Sequence, residues 1–347
     1  MLSQTLSVVI PVFRASDGLS ETLRELPAAE DPIAVGPGLA LDLTEIVLVC
    51  DNPRLPASER TRLLGLERAD RRVRVVWLST NFGQHPATVA GIVATNGDWI
   101  VTMDEDGQHD PAALAGMARA AGEAGVSLVY AQPTNPPPHG ALRNAASRGT
   151  KWLFRQLSGS ASTFHSFRFI EGEVARAACA YVGDSVYLDV ALGWSCGRAA
   201  HHPVAMRGET SPSAYNARKL ASHFWRMVLS SGTRPLRIIA GLGIVIGGLG
   251  ILAAVGIILS RLLGSILVPG WTSVMVALLV LVGGVLLSLA IVAEYVGFAV
   301  RNTIGKPVYV TVQAPEQRAL WRLQEALGQG SAVAPTRGDP VNAPDAG

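Results

Sequence analysis

The sequence is organised around Asp98-Trp-Ile-Val-Thr-Met-Asp-Glu-Asp-Gly-Gln-His-Asp110, where an apolar, β-branched run ends in a cluster of carboxylates. The run over positions 98–103 is typical of a buried strand. Acidic side chains this close repel one another unless a cation lies among them. Oxygen ligands suit a divalent cation and, behind it, the phosphates of a nucleotide. The alternative is a solvated acidic turn in which Asp110 caps a helix that begins near Pro111.

The residues before this stretch alternate between short apolar runs and helical patterns. Strands are predicted over 7–12, 45–50 and 73–78, helices over 17–28, 57–70 and 86–95, and a further helix and strand over 112–125 and 126–130. Such alternation predicts βαβ units, and therefore an α/β fold with a Rossmann-like, mostly parallel sheet. Asp51, Asn81 and Asp104 each directly follow a strand, so we expect them on one edge of that sheet, where ligands bind.

Composition limits the classes of partner and compartment. The chain has 347 residues and a formal net charge of +2, which gives no reason to expect a nucleic-acid partner. Its three cysteines form no metal-binding or disulfide pattern, as expected in a reducing compartment. The first residues lack the features of a signal peptide, so we expect the first domain to stay in the cytoplasm.

The C-terminal half is far more apolar. Positions 218–231 fit an amphipathic helix at a membrane interface, the alternative being a surface helix of the globular domain. Two long segments that carry no charge follow, and they predict transmembrane helices near 238–259 and 273–296 rather than soluble core helices. Arg and Lys flank the pair while only Arg261 marks the connecting loop, so both ends are expected in the cytoplasm.

These features divide the chain into four parts. We expect a catalytic domain over 1–215, a juxtamembrane amphipathic helix over 216–236, a transmembrane hairpin over 237–300 and a cytoplasmic tail over 301–347 that is disordered at its end. The protein is therefore expected in the inner (cytoplasmic) membrane as a multi-pass protein in contact with membrane lipid. A homo-oligomeric assembly stays open.

Several motifs, taken in order, resemble the membrane-anchored family 2 glycosyltransferases of the polyprenyl-phosphate type, which have a GT-A fold. Relatives of this kind are the dolichol-phosphate mannose synthases and the bacterial undecaprenyl-phosphate glucosyl and aminoarabinosyl transferases. The resemblance covers roughly residues 5 to 312. It is carried by Ser7-Val-Val-Ile-Pro-Val-Phe13, Leu78-Ser-Thr-Asn-Phe-Gly-Gln-His85, Met103-Asp-Glu-Asp-Gly-Gln-His109 (family MDxDxQH), Ser166-Phe-Arg-Phe169 (family DFRL), Ala293-Glu-Tyr-Val-Gly297 and Gly305-Lys-Pro-Val-Tyr309.

The resemblance implies roles for individual residues. Asp104, Asp106 and Gln108 would bind Mg²⁺ or Mn²⁺ and, through it, the donor diphosphate. A nucleotide-sugar site would be formed by Pro11, Val12, Asp51, Asn81, Asp104 and Arg207. Arg143 and Ser147, four residues apart on one helix face, would hold the acceptor phosphate and complete the catalytic set with Asp104 and Asp106. A surface salt bridge is the alternative for Arg143.

The sequence departs from the family pattern in four places. Arg14-Ala15 replaces Asn-Glu, Cys50-Asp51-Asn52-Pro53 replaces the usual acidic turn, and Gln132 replaces an Arg. Arg207 lies one residue farther from Tyr215 than the family's RxxGxSxY has it. We therefore expect this chain to differ from its relatives in base recognition and in phosphate binding.

The implied reaction is inverting transfer of a sugar from a nucleoside-diphosphate sugar to a polyprenyl phosphate, for cell-envelope glycan or glycoconjugate assembly. This reading has two alternatives. A processive polysaccharide synthase would carry QxxRW, and this string does not occur in the chain. A non-catalytic, membrane-anchored sugar-nucleotide binder is the other alternative, since several family positions are substituted.

Overall fold

A computed structural model of the chain describes residues 2–28, 31–134, 165–183, 186–207, 270–319 and 322–323, with single positions between 241 and 259. The strands are β1 (Leu2–Val12), β2 (Ile33–Gly36), β3 (Leu39–Cys50), β4 (Val73–Leu78), β5 (Trp99–Thr102), β6 (Leu128–Pro133), β7 (Arg168–Glu171), β8 (Ala200–Val204) and β9 (Thr311–Val312). The helices are α1 (Asp17–Glu25), α2 (Ala57–Ala69), α3 (Gln84–Ala94), α4 (Leu114–Ala124), α5 (Gly172–Cys179), α6 (Leu188–Cys196) and α7 (Trp271–Ile304). The predicted strands and helices up to residue 133 are all present, with ends shifted by a few residues.

The strands form one mixed sheet in the order β8-β6-β7-β5-β1-β3-β4-β9, with β2 paired to β3. β1, β3, β4 and β5 are parallel to one another, as the alternation of strands and helices predicts. β7 lies antiparallel between β5 and β6, so β6 does not extend the parallel run. The expected α/β fold is confirmed, and the antiparallel insertion is a feature that the sequence pattern did not predict.

Both faces of the sheet are covered, which explains the continuous apolar runs in its central strands. Along β1, Val8 and Ile10 pack in a core layer with Leu19 of α1, whereas Val9 packs in the opposite layer with Ala87 of α3. Gly91 lets α3 lie close to the sheet, because a Cβ at this position would stand 2.2 Å from Cγ1 of Val9. The layers hold the carboxyl ends of β1, β3, β4 and β5 at one edge.

The chain after α7 returns to this sheet. β9 pairs antiparallel with β4, matching Trp77 with Val312. The Ser79 N–H donates to the carbonyl of Val310 at 2.9 Å, and Tyr309 packs against the core layer that contains Leu78. The C-terminal segment is thus fixed beside the loop that follows β4.

The predicted membrane segments are only partly covered by the structure. The second predicted span, 273–296, lies within α7, a helix of 34 residues. Most of the first span, 238–259, and all of the amphipathic segment 218–231 lie outside the described residues. Among the residues that are described, no helix combines the length and the apolar character required to cross a membrane. The transmembrane hairpin and the four-part division of the chain therefore stay predictions.

Candidate functional site

A pocket of about 350 Å³ opens at the edge of the sheet where the parallel strands end. Each of four strands contributes residues from the loop at its carboxyl end, as expected for ligand sites in α/β sheets. The lining residues are Pro11, Val12, Phe13, Asp51, Asn81, Gly83, Gln84, Asp104, Glu105 and Asp106. The structure therefore brings together six of the residues predicted from sequence, namely Pro11, Val12, Asp51, Asn81, Asp104 and Asp106.

Asp104 is held on both carboxylate oxygens. The Ser166 hydroxyl donates to Oδ2 at 2.6 Å, and the Gln84 amide donates to Oδ1. Its own N–H donates to Nδ1 of His109 at 3.0 Å. Burial raises the pKa of Asp104, against the lowering effects of Ser166 and of the Arg168 charge. Sequence reasoning did not assign a role to Gln84 or Ser166, although both belong to motifs that carry the family resemblance.

His109 supports the acidic turn as a neutral imidazole. Burial lowers its pKa to about 4, and its ring stacks on Phe167 with centroids 4.8 Å apart. Because Nδ1 accepts the Asp104 N–H, the ring proton is on Nε2, which is 3.7 Å from Oδ2 of Asp104. A neutral ring in this position fixes the turn without adding a positive charge to the pocket.

Asp106 lies on an exposed turn that packs against α1. Its Oδ1 accepts the Gln108 N–H at 3.0 Å, and Gly107 adopts a φ of +77°. A Cβ on Gly18 would stand 2.5 Å from the carbonyl of Asp106, so only glycine allows this approach. Gln108 is not among the pocket-lining residues, and its assignment as a metal ligand stays a prediction.

Glu105 has a role that sequence reasoning missed. Its carboxylate accepts the N–H groups of Phe13 at 2.9 Å and of Arg14 at 3.1 Å, and Ser16 donates to its main-chain carbonyl. Burial raises the pKa of Glu105, and these backbone donors act in the opposite direction. The middle acid of the cluster therefore ties the loop after β1 to the loop after β5. No local sequence pattern predicts this role, because the amides that donate to Glu105 lie at the end of another strand, β1.

Asp51 plays the corresponding part for the loop after β4. Its two oxygens accept the N–H groups of Phe82 and Gly83, each at 2.7 Å, and Asn81 Oδ1 also accepts from Gly83 at 3.0 Å. Burial raises the pKa of Asp51 and the two amides lower it. Asp51 lines the pocket as predicted, and its carboxylate also shapes the loop that carries Asn81 and Gln84.

A buried ion pair lies beneath the site. Nε and Nη2 of Arg168 donate to the two oxygens of Asp189 at 2.7 and 2.8 Å, and the Tyr130 hydroxyl donates to Asp189 at 3.0 Å. Burial opposes charge on both groups, but their mutual attraction keeps the pKa of Arg168 raised and the pKa of Asp189 lowered. Nη1 of Arg168 donates to Thr102 and to the carbonyl of Ser166 at 3.2 and 3.1 Å. The pair thereby fixes the backbone on which Ser166 stands.

The remaining predicted residues are not brought into the pocket by the described part of the chain. Arg207 does not line the pocket. Its guanidinium contacts Glu25 at 2.6 Å and Asp110 at 3.3 Å, and its main-chain N–H donates to the Gln108 carbonyl. Its role in donor binding stays a prediction. Arg143 and Ser147 lie outside the described residues. Asp110 caps the turn that begins at Pro111 by accepting the Ala112 N–H, so this part of the alternative reading of the turn also holds.

The donor set fits a hard divalent cation that binds together with phosphate. Four carboxylates line the pocket, and none of the described residues lining it is basic. The carboxylates of Asp51 and Glu105 accept backbone N–H groups of other loops. Among the described contacts, the Asp104 carboxylate accepts side-chain donors and the Asp106 carboxylate accepts the Gln108 N–H of its own turn, so we take these two as the candidate oxygen ligands. Over the described ranges no group of three or more His, Cys, Asp or Glu is arranged to hold a metal. Mg²⁺ commonly binds through one or two carboxylates plus substrate phosphates and water, and two carboxylates suffice for that arrangement.

Comparison with known proteins shows which family the chain is similar to. Residues 7–175 match the family model described as glycosyl transferase family 2. The chain is 29% identical over 317 residues to the undecaprenyl-phosphate 4-deoxy-4-formamido-L-arabinose transferase of Edwardsiella ictaluri, covering 88% of this chain and 93% of that protein. It is 27% identical over 309 residues to the transferase of the same name from Pseudomonas fluorescens strain Pf0-1, covering 87% of each.

Solved structures that the chain matches include mannosyl-3-phosphoglycerate synthase from Rubrobacter xylanophilus. The match has 16% identity and a TM-score of 0.47, and covers 67% of this chain and 74% of that one. Glucosyl-3-phosphoglycerate synthase from Mycobacterium tuberculosis, in complex with Mn²⁺ and UDP-glucose, matches with 14% identity and a TM-score of 0.45, covering 67% of this chain and 79% of that one.

The chain is a glycosyltransferase, and over residues 7–175 it is similar to glycosyl transferase family 2. The resemblance to the polyprenyl-phosphate type within that family is confirmed too, because the curated relatives quoted above carry this activity in their names and match over nearly their whole length.

Proposed function

We propose that this chain transfers a sugar, with inversion, from a nucleoside-diphosphate sugar to a membrane polyprenyl phosphate. The observation that carries the proposal is that a pocket at the carboxyl ends of four strands is lined by Asp104 and Asp106 together with Pro11, Val12 and Asp51. A pocket lined by carboxylates together with the apolar residues Pro11, Val12 and Phe13 suits a ligand that combines a charged diphosphate with a flat base. The names of the relatives support the acceptor class.

The chain's own residues divide the work of donor binding. Asp51 and Glu105 hold the loops after β4 and β1 against the pocket through backbone N–H groups, so the walls are formed before the donor arrives. Preorganised walls lower the entropic cost of orienting the donor. Asp104 and Asp106 would hold Mg²⁺ or Mn²⁺, which when bound supplies positive charge to the leaving diphosphate. With four carboxylates and no basic group among the described lining residues, the donor diphosphate would be repelled without that charge.

The acceptor needs no strong general base. A phosphate monoester carries negative charge at neutral pH, so its oxygen is already a nucleophile toward the anomeric carbon. The two histidines close to Asp104 agree with this, because desolvation lowers the pKa values of His109, which is buried, and of His165, which is partly buried, to about 4. Arg143 and Ser147 remain our candidates for holding the acceptor phosphate, on the sequence resemblance alone. Attack from the face opposite the diphosphate gives inversion.

A membrane position follows from the acceptor, which stays in the bilayer. The sequence supports it with two uncharged segments, and α7 supports it with exposed large apolar side chains, including Leu278, Val285 and Leu289. Exposed apolar surface of this kind is costly in water. We therefore retain the proposed hairpin near 238–259 and 273–296, with the catalytic domain and both ends in the cytoplasm.

The test is sugar transfer in isolated membranes. Membranes containing the full chain are incubated with a panel of labelled nucleotide sugars, and the lipid phase is extracted and resolved. We expect one sugar to enter a mild-acid-labile lipid fraction, and the label to be lost in membranes containing the Asp106→Asn chain. Binding of a nucleotide sugar without label in lipid for any sugar in the panel would favour a non-catalytic binder instead.

A further inference from the structure

We infer that Ser166 is a positioning residue for Asp104: its hydroxyl fixes the carboxylate in the orientation that binds the cation, an inference that rests on the proposed function. Ser166 lies 62 positions away from Asp104 in the chain, and its hydroxyl donates to Oδ2 at 2.6 Å. A short hydrogen bond to an ionised carboxylate is among the stronger ones in proteins. No other described hydroxyl contacts this carboxylate.

The pairing of β5 with β7 places Ser166 there. The register matches Trp99 with Glu171 and Thr102 with Arg168, so the sum of paired residue numbers is constant at 270. Continued two residues past the last pair, the same register sets Ser166 opposite Asp104. The contact is therefore a product of strand alignment, and a slip of one residue would move the side chain to the other face.

Ser166 is itself held rigidly. Its carbonyl accepts the Thr102 hydroxyl at 2.6 Å and Nη1 of Arg168 at 3.1 Å, and Arg168 is fixed by its ion pair with Asp189. A donor locked by packing and by hydrogen bonds of its own can restrict a ligand carboxylate to one rotamer. A flexible surface serine could not do this.

The two carboxylate oxygens of Asp104 have different partners and therefore different roles. Gln84 lines the pocket and contacts Oδ1, so Oδ1 is the oxygen on the pocket side, whereas Ser166 does not line the pocket and holds Oδ2. Fixing Oδ2 leaves Oδ1 directed toward the space that Asp106 also faces. Since the site has only two available carboxylates, loss of orientation in one of them would cost much of the affinity for the cation.

The position has a further consequence for charge. The motif that Ser166 belongs to reads Ser166-Phe-Arg-Phe169 where the family has DFRL. A carboxylate at 166 would add a second negative charge beside Asp104, and like charges repel. A hydroxyl donates to Asp104 without adding that charge.

The experiment measures Mn²⁺ binding directly, with full-length protein in nanodiscs and the electron paramagnetic resonance signal of free Mn²⁺ as the readout. Ser166→Ala should weaken Mn²⁺ binding by roughly tenfold, the effect of losing one charge-assisted hydrogen bond, and Ser166→Thr should restore it. Ser127→Ala is the matched control, because the Ser127 hydroxyl also donates to a carboxylate across the sheet, that of Glu171, away from the pocket. Metal-free thermal unfolding should be alike for the two alanine variants.

Three results would overturn the inference: wild-type protein that binds no Mn²⁺, Ser166→Ala protein that binds it as tightly as wild type does, or a loss that Ser166→Thr fails to restore. Failure of the proposed function is distinguishable, since it would appear as absent sugar transfer by a protein whose Mn²⁺ binding still depends on Ser166.

Discussion

The buried pair of Arg168 and Asp189 offers the sharpest test of how the fold supports the site. Replacing Asp189 by Asn keeps the shape but places an amide NH₂ against guanidinium donors, and leaves the Arg168 charge unpaired. Both residues are 7% exposed. Removing one partner of a buried pair typically costs ~3–5 kcal/mol. At roughly 2–4 °C per kcal/mol for a domain of this size, the unfolding temperature should fall by about 6–20 °C.

Asp70→Asn is the matched control. Asp70 also accepts two hydrogen bonds from one arginine, since Nε and Nη2 of Arg72 lie 3.1 and 2.7 Å from Oδ2. The Asp70 side chain, however, is 35% exposed. Solvent screening limits such pairs to ~0–1 kcal/mol, so Asp70→Asn should shift the unfolding temperature by only about 0–4 °C. Scanning fluorimetry of purified full-length protein at neutral pH measures both variants. If Asp189→Asn and Asp70→Asn unfold at the same temperature, the reasoning about burial is refuted.

The same pair predicts a pH dependence with a definite sign. The Arg168 charge holds the pKa of Asp189 below its usual value despite burial, so the folded state releases this proton more readily than the unfolded state. The pair therefore stabilises the fold above the unfolded-state pKa of about 3.9, and this stabilisation is lost as the pH falls through the lower folded-state value. The difference in stability between wild type and Asp189→Asn should be constant near neutral pH and shrink below about pH 4. A difference that grows in acid would contradict the assignment.

Four further outcomes are expected. Asp106→Asn should fold normally and lose roughly a hundredfold in transfer rate, about 3 kcal/mol of transition-state stabilisation; full activity of the wild type in EDTA would contradict this. Arg143→Ala should raise the apparent KM for polyprenyl phosphate about tenfold or more and leave nucleotide affinity by calorimetry nearly unchanged; equal losses in both would exclude an acceptor role. In a cysteine-free background, a cysteine at Gly270 should react with an impermeant reagent in intact cells and one at Pro340 should not, and the reverse pattern would invert the topology. Tyr309→Ala should weaken nucleotide binding more than Tyr309→Phe does, because Tyr309 packs beside the loop after β4; equal binding by both would show that the C-terminal segment does not support the pocket.

Much of the site is accessible from sequence because its parts are local. An apolar run followed at once by polar residues marks the end of a buried strand, and parallel strands end at a common edge. That reasoning selects Asp51, Asn81 and Asp104 without knowledge of the tertiary structure, and all three line the pocket. The motif resemblance adds Pro11, Val12 and Asp106 to the same wall. It does not reveal that the middle acid, Glu105, is committed to the amides of Phe13 and Arg14.

The sequence by itself determined the α/β class, the parallel strands and the edge at which the carboxylates meet, since periodicity and strand ends are properties of neighbouring residues. Only the tertiary structure decided what holds those carboxylates. β7 has 4 residues, too few for an alternating pattern to reveal its partner strand, yet its antiparallel pairing with β5 sets Ser166 on Asp104. Arg207 likewise meets Glu25, a residue of α1 far away in the chain. Contacts between distant segments depend on strand register and on packing of the whole sheet, and no local pattern encodes either.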